Sequence, residues 1–109
     1  MTALASRHCQ PVKGAPLAAH ELPALLSQVP AWAVVDGALQ RQVRIDDWPR
    51  LMSFVNAVAW LAQTEDHHPE LQIAWGRCTL RWHTHSVGGL SVNDFICAAR
   101  VDALLPTSA

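Results

Sequence analysis

Apolar side chains recur at helical spacing in three separate stretches of the chain. The first stretch predicts a short helix over residues 19–28, and the second predicts a long helix over roughly 48–64 that Asp46 or Asp47 can cap. A third helix begins where Ser91 and Asp94, three residues apart, form a capping-box pattern.

The apolar positions are Leu22, Leu25, Leu26 and Val29 in the first stretch, Leu51, Phe54, Val55, Val58, Leu61 and Ala62 in the second, and Phe95, Ala98, Ala99 and Leu105 in the third.

Between the helices, apolar and polar residues alternate with the two-residue period of a β-strand. The run from residue 32 to residue 45 is interrupted by Asp36-Gly37, a dipeptide typical of a tight hairpin turn. A second alternating run over 71–82 is interrupted at Gly76-Arg77. The chain therefore contains two predicted hairpins, one before and one after the long helix.

These elements follow one another in the order α-β-β-α-β-β-α. Two hairpins with helices between and around them indicate an α+β domain, with a single four-stranded antiparallel sheet and helices on one face. Residues 1–16 carry no clear period, so we expect an irregular leader followed by one domain over residues 17–109. Because such a small sheet exposes its edge strands, we expect the chain to pair with its own copies as a dimer or tetramer.

Composition narrows the functional classes. Half of the 109 residues are apolar and the formal net charge is −1, so the chain lacks the basic footprint needed to bind nucleic acid or a membrane surface. The three cysteines, Cys9, Cys78 and Cys97, match no disulfide framework or ligand pair, which favours a reducing compartment. Without a signal-like or membrane-spanning stretch, the sequence predicts a cytoplasmic protein whose partner is a small molecule or another protein.

Four of the six histidines are concentrated between residues 67 and 85. His67 and His68 lie in a predicted loop, and His83 and His85 lie on the same side of the fourth strand. Imidazoles titrate near neutral pH, so a cleft shared by two or three of them would suit general acid–base catalysis. Two alternatives stay open: solvated surface histidines, and a metal site of His67, His68 and His85, which lacks a helical histidine pair or a thiolate pair.

A more specific signal lies in the order of particular residues along the chain, which are Asp66-His67-His68-Pro69-Glu70, then Thr84-His85, then Gly89-Leu90-Ser91 and Asp94. This order resembles the signature of the pterin-4a-carbinolamine dehydratase family, and the likeness extends over nearly the whole chain. The resemblance implies a four-stranded α+β fold that assembles into dimers or tetramers. It also implies a reaction in which 4a-hydroxytetrahydrobiopterin loses water to give quinonoid dihydropterin, with no metal or cofactor held by the protein.

The same resemblance implies roles for individual residues. His67 and His85 are the implied acid–base pair, in which one imidazole protonates the departing 4a-hydroxyl and the other removes the proton from N5. His68 is implied as an auxiliary catalytic or binding histidine. Asp94 is implied either to orient an imidazole or to cap the last helix.

The remaining predicted pterin contacts are Asp66, Thr84, Gln63 and His83, and the last two depart from the family pattern. Gln63 stands four positions before His67, where the family usually has a carboxylate, and a neutral amide accepts a weaker hydrogen bond. His83 stands where a small hydroxyl residue is usual, so its ring is bulkier than the site requires.

These departures favour a second interpretation. Residues 84–99 resemble a branch of dehydratase-like proteins associated with α-carboxysomes, whose members resemble assembly factors or chaperones for RuBisCO. The family also includes dimerisation cofactors of a transcription factor, so a protein-binding role on this fold has precedent. The alternative to a dehydratase is therefore a catalytically weak or inactive relative that binds RuBisCO and associates with the carboxysome.

Overall fold

The computed structural model describes residues 3–106, and its elements follow the predicted order α-β-β-α-β-β-α. The predicted limits at residues 1 and 109 lie outside this range. The elements are α1 (Leu22–Leu26), β1 (Ala33–Val35), β2 (Ala38–Arg44), α2 (Trp48–Glu65), β3 (Glu70–Ala74), β4 (Arg77–Trp82) and α3 (Val92–Asp102). Short 3-10 turns also occur at Leu4–Ser6, Ala19–Glu21 and His85–Val87.

The four strands form one antiparallel sheet in the order β1-β2-β4-β3. At its centre Leu39 of β2 pairs with Trp82 of β4, and Val43 pairs with Cys78. Side chains alternate along a strand, so these four residues and Leu80 share one face, and all five are buried. The predicted α+β fold with a single antiparallel sheet is confirmed.

Helices α2 and α3 pack on the apolar face of the sheet. At the start of α2, the exposed Asp47 caps the helix by accepting a hydrogen bond from the N–H of Arg50. Each large side chain that the helices bury contributes about 1.5–3 kcal/mol to stability. These large core residues are Leu51, Phe54, Val55 and Val58 from α2 and Phe95, Ile96 and Val101 from α3, and Ala62 and Ala98 fill the space between them. No helix within residues 3–106 is long and apolar enough to cross a membrane.

Element boundaries differ from the predictions at three places. The second hairpin turns at Trp75-Gly76 rather than Gly76-Arg77, because Gly76 adopts a φ of +82° that a residue with a side chain rarely tolerates. Helix α3 ends at Asp102, and Leu105 packs on the core from the turn that follows. Helix α1 spans only Leu22–Leu26, because the predicted first turn is the 3-10 turn Ala19–Glu21 and the chain after Leu26 closes with tighter i→i−3 bonds, from the N–H of Gln28 to Leu25 at 3.1 Å and from Val29 to Leu26 at 3.0 Å.

From residue 3 to residue 16 the leader is irregular apart from its 3-10 turn, yet it is packed on the domain. Leu4 is 3% exposed and belongs to the hydrophobic core. The Nε of Arg100 donates to the carbonyl of Arg7 at 2.7 Å. The N–H of Gln10 donates to the side-chain oxygen of Asn93 at 3.1 Å, and the Asn93 amide donates back to the Gln10 carbonyl at 2.7 Å. These contacts lay the leader along α3.

Candidate active site

The end of α2 presents the two adjacent histidines. The C-cap residue Asp66 has a left-handed φ of 51°, and the N–H of His67 donates to the carbonyl of Ala62 at 3.1 Å. This closure ends the helix, and Pro69 prevents it from continuing. His67 and His68 therefore lie in the short connection between α2 and β3.

His67 is held by contacts on two sides. Its Nε2 lies 2.6 Å from Oδ1 of Asp94, and its ring stacks on the indole of Trp82 with ring centroids 5.5 Å apart. The His67 side chain is only 12% exposed. Because a carboxylate can only accept hydrogen bonds, Asp94 fixes a proton on Nε2 of His67 and leaves Nδ1 as the ring's second polar atom.

Asp94 is fully buried and organises the residues around it. Its Oδ2 accepts hydrogen bonds from the backbone N–H of Ser91 at 2.9 Å and from the hydroxyl of Thr84 at 2.8 Å. Ser91 in turn caps α3 by accepting from the N–H of Asn93 at 3.2 Å. Capping the last helix and orienting an imidazole, which the sequence left as alternatives for Asp94, therefore occur together.

A cavity of about 340 Å³ opens beside His67, between the leader and the domain, and is called here the leader cavity. Residues 9–12 of the leader line one side of it. The domain lines the other side with residues that include Glu65, Asp66, Thr84 and His67. This cavity therefore exists only because the leader folds back over the end of α2.

Glu65 is a buried carboxylate in the leader cavity. It accepts hydrogen bonds from the N–H of Cys9 at 2.6 Å and from Nδ1 of His8 at 2.8 Å. Burial by itself would raise the pKa of Glu65, but these hydrogen bonds and the nearby charge of Arg100 outweigh burial and lower it below its ordinary value of 4.5. At neutral pH an ionised carboxylate thus fastens the leader to the domain.

The other three clustered histidines line a second cavity of about 360 Å³, called here the histidine cavity. Its lining comprises His68, His83 and His85 together with Asp36, Pro69, Glu70 and Arg81. The rings of His83 and His85 meet edge to face with centroids 4.1 Å apart. His85 projects from a closed loop in which the N–H of Thr84 donates to the carbonyl of Gly89 at 2.8 Å.

The predicted site residues are distributed over these two neighbouring cavities. Those in the leader cavity are Asp66, His67 and Thr84, and those in the histidine cavity are His68, His83 and His85. The predicted pair of His67 and His85 is therefore not brought into one cavity, whereas His68 and His85 share one. Gln63 is exposed on α2 and lines neither cavity.

Sequence reasoning missed Glu65 and Asn93, which fasten the leader. Glu65 did carry a signal, because it lies three residues after Ala62 and seven after Val58, on the apolar stripe of α2. An acidic residue at such a position points into the protein and needs a partner. Asn93 carried no comparable signal. Within the described residues, no group of three His, Cys, Asp or Glu side chains is arranged to hold a metal ion.

Known proteins resemble this chain over most of its length. A family model described as pterin 4 alpha carbinolamine dehydratase matches residues 15–104. A protein of Stenotrophomonas maltophilia is 49% identical over 105 residues, covering 93% of this chain and 90% of that protein. A protein of Nitrosomonas eutropha is 44% identical over 105 residues, covering 94% of this chain and 93% of that protein. Both relatives are named provisionally as pterin-4-alpha-carbinolamine dehydratases.

A solved structure shares the fold. The crystal structure of a transcriptional coactivator/pterin dehydratase from Brucella melitensis matches with a TM-score of 0.79 and 28% identity, covering 84% of this chain and 99% of that one. The chain belongs to the pterin-4a-carbinolamine dehydratase family, a family of hydro-lyases. The family that the resemblance implied is thereby confirmed, while membership of the carboxysome-associated branch stays a prediction.

Proposed function

We propose that the chain is a 4a-hydroxytetrahydrobiopterin dehydratase whose pterin binds at the histidine cavity. The observation that carries the proposal is the convergence of His68, His83 and His85 on one cavity. Dehydration needs one group that gives a proton to a leaving hydroxyl and another that takes a proton from a ring nitrogen. Imidazoles perform both tasks near neutral pH.

In the proposed reaction the C4a–O bond of the carbinolamine breaks, and the hydroxyl takes a proton from one imidazole to leave as water. A second imidazole removes the proton from N5, and the electron pair of the N–H bond forms the C4a=N5 double bond of quinonoid dihydropterin. The two roles fall to His68 and His85 as a pair, because both line the histidine cavity. The neighbouring ring of His83 supplies a further hydrogen-bonding group for the pterin.

His67 has a positioning role in this proposal. The sequence paired His67 with His85, but Nε2 of His67 is bonded to Asp94 and its ring is stacked on Trp82. Since His67 directly precedes His68, holding its ring also restrains the backbone from which His68 projects. Pterin contacts from Asp66 and Thr84 stay part of the proposal: both residues line the leader cavity, and Thr84 stands between His83 and His85 of the histidine cavity. Gln63, which is exposed, is given no contact.

The proposal is tested by following the decay of enzymatically generated 4a-hydroxytetrahydropterin by absorbance. The wild-type chain should accelerate the decay over buffer alone, and His68→Ala and His85→Ala should each lower the rate constant about 100-fold or more, the usual loss on removing a general acid or base. His20→Ala, which removes an exposed histidine of the Ala19–Glu21 turn, is the matched control and should keep the wild-type rate.

Two results would contradict the assignment, provided that circular dichroism shows each variant folded. One is a wild-type rate no higher than that of buffer at high protein concentration. The other is full activity in both His68→Ala and His85→Ala. That result would show that His68 and His85 are not the catalytic pair and that the chain is a dehydratase of another mechanism.

Self-association and the alternative function stay predictions. Trp75, at the tip of the β3–β4 hairpin, is 70% exposed and Trp60 on α2 is 76% exposed, which supports burial of further apolar surface in a dimer or tetramer. The RuBisCO assembly-factor alternative rests on residues 84–99, on the neutral Gln63 and on the bulky His83. The cytoplasmic or carboxysome-associated location likewise rests on the sequence.

A further inference from the structure

Two thiols from opposite ends of the chain meet beside the leader cavity. The Sγ atoms of Cys9 in the leader and Cys97 in α3 are 3.5 Å apart, although 88 positions separate the two residues in sequence. Both cysteines are free. Cys97 is fully buried, whereas Cys9 is only half-buried and lines the leader cavity.

The backbone on both sides of this contact is fastened. The N–H of Cys9 donates to Glu65 at 2.6 Å, and the next residue, Gln10, exchanges two hydrogen bonds with the side chain of Asn93. Asn93 lies four residues before Cys97 on α3, and its carbonyl oxygen is 3.7 Å from Sγ of Cys9. The leader is therefore held in the register that sets the two sulfurs against each other.

We propose that Cys9 and Cys97 are a site of reversible oxidation, at which a low-molecular-weight disulfide such as oxidised glutathione converts the two thiols into an intramolecular disulfide. The two sulfurs, 3.5 Å apart, must approach by roughly 1.5 Å to reach the length of a disulfide bond. Because hydrogen bonds hold the backbone next to Cys9, the proposal assigns this approach to rotation of the two side chains.

The order of reaction follows from exposure. Cys9 meets the oxidant first: its thiolate attacks one sulfur of the small disulfide, the S–S bond breaks, and one small thiolate leaves. The sulfur of Cys97 then attacks Sγ of Cys9 and expels the second small thiolate, which takes up the proton of the Cys97 thiol. Two protein thiols have lost two electrons and two protons, and the small disulfide has become two small thiols, so the step balances.

The environment of Cys97 agrees with its role as the second thiol. Its hydrogen bond with Cys9, and next its burial, raise the pKa of the Cys97 thiol far above the ordinary value. Cys97 therefore stays protonated while Cys9 is a thiol. The hydrogen bond between the two thiols ends only when Cys9 has reacted, and Cys97 then becomes free to attack. Oxidation would join the leader covalently to α3 and thereby fix the position of Cys9 in the wall of the leader cavity.

The test uses the whole chain, first reduced and then incubated with oxidised glutathione, and it does not depend on dehydratase activity. The intact mass of the wild type should fall by two hydrogen atoms with no bound glutathione, and peptide mapping should join the Cys9 peptide to the Cys97 peptide. The midpoint of thermal unfolding should rise by about 5 °C or more, because the cross-link restricts the unfolded chain. Addition of dithiothreitol should reverse both changes.

Three single variants separate the steps. Cys97→Ser should stop at the mixed disulfide and carry one glutathione on Cys9, whereas Cys9→Ser should leave the buried thiols unmodified. Cys78→Ser, which removes the third cysteine in β4, should behave as the wild type. The proposal is overturned if the wild type accumulates glutathione on Cys9, or links Cys9 to a second copy of the chain, instead of forming the internal disulfide. Both of these results are read from the wild-type chain, so they do not depend on whether a variant folds.

Discussion

The substitution Asp94→Asn keeps the shape of a fully buried side chain while removing its charge and one of its two acceptor oxygens. Asp94 accepts from His67 at 2.6 Å, from the Thr84 hydroxyl at 2.8 Å and from the Ser91 N–H at 2.9 Å. The single amide oxygen of asparagine can retain the two bonds on one side only, and its NH₂ group then faces Nε2 of His67. Because hydrogen bonds to a buried charge contribute about 1.5–3 kcal/mol each, losing one and weakening two should cost about 3 kcal/mol.

The loss is measured by urea unfolding, followed by tryptophan fluorescence and by far-ultraviolet circular dichroism, with the slope of the transition checked for two-state behaviour. The matched control is Asp47→Asn, the same change at the exposed N-cap of α2, where the carboxylate accepts from one N–H at 3.0 Å. Asparagine caps helices as well as aspartate does, so this control should cost about 0.5 kcal/mol or less.

A free energy of unfolding for Asp94→Asn that equals that of Asp47→Asn would refute the argument. The buried carboxylate would then be no more than a helix cap, and the contact with His67 would add nothing measurable. A loss of about 3 kcal/mol with an unchanged slope would instead show that the Asp94 contacts act together.

Two further predictions concern the leader. Glu65→Gln should destabilise the chain at neutral pH. Folding lowers the pKa of Glu65 below 4.5, so the stabilisation from its carboxylate is complete above that pH and disappears as the pH falls below it. Thermal unfolding curves of the variant and the wild type should therefore converge in acid. A pH-independent difference would contradict this. Gly89→Ala would place a Cβ 2.9 Å from Cβ of Pro16 and should cost about 1–3 kcal/mol. Chemical denaturation should show that Pro16→Gly in the same chain removes most of that added cost, and a Gly89→Ala chain as stable as the wild type would rule the clash out.

Local patterns predicted the secondary structure because the forces that select helices and strands act between residues close in sequence. The apolar stripe of α2 matches the helix Trp48–Glu65, and Asp36 and Gly37 both take the positive φ that the predicted hairpin turn requires. The capping box of Ser91 and Asp94 is also present. Two boundaries were predicted wrongly, and each depends on a local detail. The turn at Gly76 is set by the positive φ of that residue, and the end of α3 at Asp102 falls where the residues that follow pack on the core as a turn.

The candidate site could be predicted as a set of residues but not as an arrangement. The histidine cluster and Asp94 were visible in the sequence, yet their partition between two cavities depends on which way each side chain leaves the connection after α2 and the loop after β4. The buried position of Glu65 could have been predicted, since an acidic residue on an apolar helix stripe indicates a buried side chain that needs a partner. Its partner, the N–H of Cys9, lies 56 positions away in a segment without any period.

The sequence by itself thus determined the order and type of the elements, the α+β class, the capping box and the family, because each is written in spacing or in residues at fixed positions. Only the tertiary structure decided that β2 and β4 form the centre of the sheet, that His67 is bonded to Asp94, and that Cys9 meets Cys97. Such contacts join segments far apart along the chain, and their free energy comes from burying both partners at once, which no local pattern records.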